Sequence, residues 1–134
     1  MKKILLMSVL AGSLLFAEGA LNKSEMKTMQ TLEEAMSTVQ KGFLYNNADI
    51  ITGAIKDLKK TLVEVNDFEI KVDSKAQGKD FNAKAYVATE ATAIDKLATE
   101  IGKLYADGKK DEALLTYSKT LSRCMVCHKV IRKW

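Results

Sequence analysis

From Asn22 onward, apolar residues recur every three or four positions, the spacing of one face of an α-helix. Met29, Leu32, Met36, Val39 and Phe43 form the first stripe. Asn22 followed by Glu25 reads as a capping box, so a first helix is predicted from there to about Tyr45, before Asn46 and Asn47. Ile51, Ile55, Leu58, Leu62 and Val65 mark a second helix from about Ala48 to Val65, capped by Asn47. Val87, Ala91, Ile94, Leu97 or Ala98, Ile101 and Leu104 mark a third. Asp80 is its predicted cap, and it stops near Asp107 with Gly108 as a left-handed terminator. A tight turn then leads to a fourth stripe of Leu114, Tyr117, Leu121, Cys124, His128 and Ile131. The predicted core face of this last helix therefore carries a cysteine and the only histidine of the chain.

Residues 66–80 break the pattern. They are polar and include Gly78, with one alternation, Phe68, Ile70 and Val72, that suits a short strand. A lone strand has no partner here, so the reading is a long ordered loop lying over the bundle. Four amphipathic helices with short links and one longer connection predict an all-α fold, an antiparallel up-down four-helix bundle. The absence of proline agrees with it. Neither a Rossmann glycine motif nor a P-loop occurs.

Residues 1–17, MKKILLMSVLAGSLLFA, follow a different rule. Lys2 and Lys3 precede an apolar run from Ile4 to Phe16 that ends at Ala17. This is the pattern of a secretory signal peptide, and the run is short of the roughly 20 apolar residues that a membrane span needs. Cleavage after Ala17 removes two lysines and no acid, leaving residues 18–134, 117 residues at a net charge of +2, as one domain. The lysine-rich, proline-free composition suits a bacterium, and export then means the periplasm, with no membrane span after cleavage.

Composition narrows the chemistry. The 134 residues are 28% charged and 47% hydrophobic, the balance of a single globular domain. One histidine excludes triads and metal clusters built from several histidines. Two cysteines exclude a disulfide-dense scaffold. At +2 after cleavage the charge gives little support to nucleic-acid binding.

Cys124-Met125-Val126-Cys127-His128 is a CxxCH motif, which in an exported chain reads as a c-type haem attachment site. Positions i, i+3 and i+4 of a helix share a face. One turn therefore presents two thiols that can each bond a haem vinyl group, with the histidine held against the iron. A structural zinc site needs four protein ligands, and cysteine and histidine supply three here. A redox dithiol belongs at the start of a helix in a βαβ setting, whereas these cysteines lie near a helix end, where the dipole disfavours a thiolate. A disulfide between the two would leave His128 unexplained.

The motif stands seven residues from the C-terminus on the fourth predicted helix, and in this the chain resembles the class II c-type cytochromes, the cytochrome c-556 and cytochrome c′ group. The specific part of the resemblance is Cys124, Cys127, His128 and Arg132, a CxxCHxxxR pattern; the general part covers most of the mature chain. Members are periplasmic mono-haem proteins built on a four-helix bundle, often dimeric. The resemblance implies haem c held through two thioethers, His128 as proximal ligand, and Arg132 one turn on, where it can pair with a haem propionate.

With one histidine, bis-histidine ligation within one chain is impossible, and the far side of the iron can hold methionine, lysine or nothing. Low-spin c-556 proteins carry a methionine ligand early in the first helix and often a second methionine seven residues later, a separation matched by Met29 and Met36. The resemblance therefore implies Met29 as the sixth ligand, with Met26 one turn away as the substitute and Met36 as core. The chain departs from the family at the arginine usually found four residues before the ligand: Glu25 stands there, leaving Lys23 or Lys27 to serve the propionates.

His/Met ligation closes the iron to gases and keeps both ligands through oxidation and reduction, the behaviour of an electron carrier rather than an enzyme. The alternative is a five-coordinate, cytochrome c′-like protein that binds nitric oxide or carbon monoxide; a third reading is a helical binding module without haem. No acid follows Glu112, while Lys119, Arg123, Lys129, Arg132 and Lys133 cluster in sequence around the motif. Such a basic face would steer an acidic redox partner to the haem edge.

Overall fold

The computed structural model describes residues 22–70, 72 and 81–132. The expected signal peptide, the Asp80 cap and Lys133 lie outside these. The elements are α1 (Lys23–Leu44), α2 (Ala48–Glu64), a 3₁₀ turn (Val65–Asp67), α3 (Ala83–Ala106) and α4 (Lys110–Arg132). Four helices and no strand are present among the described residues. Phe68, Ile70 and Val72, the alternating triplet, are irregular chain.

The helix ends follow local chemistry. Asn22 accepts from the Glu25 N–H, and the Glu25 carboxylate accepts from the Asn22 N–H, both at 2.9 Å, so the predicted capping box is complete. Between α1 and α2 the chain turns through Asn46 at φ 50°, a left-handed conformation that asparagine tolerates. Asn47 then caps α2 by accepting from the Asp49 and Ile50 N–H groups. The cap of α3 is Asn82, whose side chain accepts from Ala85 N–H at 2.9 Å, and not Asp80. The first four N–H groups of the helix lack an acceptor within it, and Asn82 is the residue directly before the first helical one. Gly108 ends the α3 segment at φ 76°, with the Lys109 N–H returning to Leu104 C=O at 2.9 Å.

The pairs in close backbone contact are α1 with α2, α2 with α3 and α3 with α4. Thr28, near the start of α1, donates to Glu64 at the end of α2 at 2.9 Å, while Gly42, near the end of α1, lies against Ile51 near the start of α2. The main core is built from the predicted stripes of the first three helices: Val39, Ile51, Leu58 and Ile101 are all but inaccessible. Ala98, at 0% exposure, rather than Leu97, takes the inward position on α3. A smaller cluster of Val65, Phe68 and Val87 sits apart, with Met29, Cys127 and Ile131 packed on it.

The fourth stripe needs correction. Leu114 and Leu121, expected in the core, are 49% and 46% exposed, and the buried line of α4 is Ala113, Thr116 and Thr120. Small side chains let α4 lie close on α3. The Thr120 hydroxyl donates to the Thr116 carbonyl at 2.9 Å, so it is satisfied within its own helix and can be buried. The inward face is therefore rotated toward Cys124, Cys127 and Ile131. Among the described residues, no helix is long and apolar enough to cross a membrane.

Candidate functional site

At one end of the molecule α1 and α4 draw together: Phe43 meets Tyr117 edge to face, with ring centroids 5.8 Å apart. At the other end they frame a cleft. It has a volume of about 260 Å³ and is walled by all four helices and by Val65, Phe68 and Ile70. From α1 come Met29, Leu32 and Met36; from α4 come Cys124, Cys127, His128 and Arg132. All five residues singled out from the sequence thus line one cavity. Leu121 and Met125 on its lip are about half exposed, so the cleft opens to solvent along α4.

The three methionines of α1 differ as their helical positions require. Met29 is half-buried on the cleft wall, Met36 is 6% exposed and belongs to the main core as well as to the cleft floor, and Met26 is 49% exposed and does not line the cleft. Position 26 lies one turn before 29 but is offset in angle, which turns its side chain outward. Met29, and not Met26, therefore lines the cleft.

Burial pushes both thiols up. Cys124 is held above its ordinary value first by loss of solvent and then by the nearby Glu90 charge. Cys127 is pushed up to about 11 by burial, with Glu90 and Cys124 adding to it. Neither is a ready thiolate, which argues against a redox dithiol, since that chemistry needs a depressed pKa. His128 moves the other way: burial lowers it and the Arg132 charge lowers it further, so its imidazole is neutral near pH 7. A neutral imidazole is the form that ligates a metal.

Two buried carboxylates were not singled out from the sequence as features of this region. Glu25, noted as half of a capping box and as the residue in place of the family's arginine, is 7% exposed and also accepts from the Glu69 N–H at 2.8 Å, tying the irregular segment that carries Phe68 and Ile70 to α1. Glu90 is buried on the cleft wall beside Val87, Ala91 and Ile94, and both its oxygens accept from Arg123 Nη1, at 3.0 and 3.1 Å. A signal existed for Glu90: it stands one position before Ala91 in the apolar stripe of α3, where a solvent-facing acid is not expected to fall.

No family model, curated protein or solved structure matches this chain. Among the described residues, no group of three or more His, Cys, Asp or Glu side chains is placed to hold a metal ion by itself. The cleft instead offers two thiols, one imidazole and the thioethers of Met29, Met36 and Met125 around an apolar space. That donor set fits a flat prosthetic group that brings its own iron.

Proposed function

We propose that this chain is an exported mono-haem c-type cytochrome of the class II kind that carries electrons in the periplasm. In this reading an antiparallel up-down four-helix bundle would hold one haem c, with Cys124 and Cys127 as the thiols that would bond it and His128 and Met29 as the side chains that would ligate its iron. The observation that carries it is the shared cleft: a CxxCH turn from the last helix and a methionine from the first line one apolar cavity. When bound, haem c supplies an iron that takes up and gives back one electron.

The chain's own residues define what surrounds that exchange. His128 offers a neutral imidazole because burial and Arg132 disfavour its cation. Met29 would bring a thioether from a helix whose start is fixed by its capping box. Leu32, Leu58, Leu62, Val87 and Ile94 line the cleft and exclude water from its floor. Arg132 lines the cleft and is exposed, the position from which a guanidinium would pair a propionate at the rim. Exposed Lys119, Arg123, Lys129 and Arg132 on α4 present the cationic face that an acidic redox partner would meet.

The test is intact mass. Protein made in cells with a working c-haem maturation system is expected to exceed the polypeptide mass by one haem, and the Cys124→Ala, Cys127→Ala double variant is expected not to. A wild-type chain that emerges without haem would remove the proposal.

A further inference from the structure

The cleft wall is apolar wherever it is buried, with one exception. Glu90 has a side chain only 8% exposed, and it sits among Val87, Ala91 and Ile94, where a leucine would continue the stripe. Burying a carboxylate is expensive even when it is paired, and a buried pair is often no more stable than an apolar substitute. Packing alone therefore gives no reason for an acid at this position.

Its partner is also incomplete. One guanidinium nitrogen of Arg123 reaches both oxygens, so the pair is not the two-nitrogen fork that binds a carboxylate most strongly. Arg123 itself is half exposed, which leaves its charge partly screened by water while that of Glu90 is not. Glu33 and Arg132 also line the cleft but are exposed to solvent, so the one buried charge on its wall is the carboxylate of Glu90.

We propose that Glu90 sets the reduction potential of a group bound in this cleft, holding it low, with Arg123 as the counter-charge that limits the effect. A buried anion favours the more positive oxidation state of a neighbouring iron, so the carboxylate stabilises the oxidised form. Removing its charge raises the potential. Removing the charge of Arg123 leaves the carboxylate less compensated and lowers it. This inference rests on the haem reading, and it assigns a role to two residues outside the CxxCH motif.

The experiment is the midpoint potential of the haem-loaded protein, by spectroelectrochemistry at pH 7.5, for wild type, Glu90→Gln, Glu90→Asp and Arg123→Gln. Glu90→Gln is expected to raise the potential by about a tenfold change in the one-electron equilibrium, about 59 mV. Glu90→Asp keeps the charge on a shorter stem and is expected to shift it by less than half as much. Arg123→Gln, at a half-exposed position that tolerates substitution, is expected to shift it the opposite way. A structural role alone would move Glu90→Gln and Glu90→Asp alike and would not give opposite signs at the two partners. If haem attaches and Glu90→Gln and Arg123→Gln shift the potential in the same direction, or not at all, the inference is overturned while the cytochrome reading stands. If wild type takes no haem, both fall.

Discussion

Met29 and Cys127 pack against one apolar cluster of Val65, Phe68 and Val87, the first from the start of α1 and the second from the end of α4. Nothing in local sequence joins them; the bundle does. The consequence for a bound haem is direct. Met29→Ala removes one thioether from the cleft wall and leaves Met26 facing outward, Met36 in the core and on the cleft floor, and Met125 on the lip. The reduced, haem-loaded variant is expected to bind carbon monoxide where wild type does not, read from the absorption spectrum. A variant still closed to carbon monoxide would assign the sixth position to another residue.

Glu25 joins two walls of the cleft, accepting from its own capping partner Asn22 and from Glu69. Glu25→Ala leaves the Glu69 N–H without its acceptor in a partly buried place. A loss of about 1–3 kcal/mol is expected, the usual cost of an unmet buried hydrogen-bonding group, measured by urea denaturation. Amide exchange at Glu69 should also accelerate. Unchanged protection at that amide would show that the contact does not hold the segment.

The thiols give a pH dependence with a definite sign. Cys127 is near 11 in the folded apoprotein, while an unfolded thiol titrates near 8.5. The folded state thus keeps a proton that the unfolded state gives up between these values. By linkage, apoprotein stability is expected to fall as pH rises through 9 and 10, and Cys127→Ala should remove part of that slope. In the same window, alkylation of Cys127 should climb with pH without levelling until near 11, whereas in urea it levels about two units lower. A plateau near 8.5 in the folded protein would contradict the burial argument.

Gly42 has no room for a side chain. A Cβ there would overlap the Ile51 side chain and lie 3.0 Å from the Ile51 backbone nitrogen and 3.3 Å from the Asn47 carbonyl oxygen. Ile51 is 1% exposed and cannot swing away. Gly42→Ala is expected to destabilise by about 1–3 kcal/mol, the cost of overpacking, even though alanine is the better helix former. A gain in the denaturation midpoint would mean that α1 and α2 can separate at no cost.

The helices were legible because their signals are local. Asn22 with Glu25, Asn47, and Gly108 after Asp107 each carry a cap within four residues, and the stripe from Ile51 to Val65 is buried throughout. The rotation of α4 was not legible. Leu114 and Leu121 scored as core by hydrophobicity, but close approach to α3 selects small residues, and that preference lies in the neighbour rather than in α4. The convergence of Met29 with the CxxCH turn was expected from resemblance, and the geometry that brings them together is a property of the bundle. Glu90 was missed because the stripe was traced through apolar residues alone, although its place three after Val87 and four before Ile94 puts it on the same face.

The most direct measurement is the absorption spectrum of protein made with a c-haem maturation system, oxidised and reduced, with and without carbon monoxide. The account predicts a covalently bound haem, a low-spin spectrum with a methionine–iron charge-transfer band, and no change with carbon monoxide. A high-spin spectrum that shifts with the gas would contradict Met29 ligation and turn the reading to gas binding. A chain that carries no haem would contradict the cytochrome reading itself.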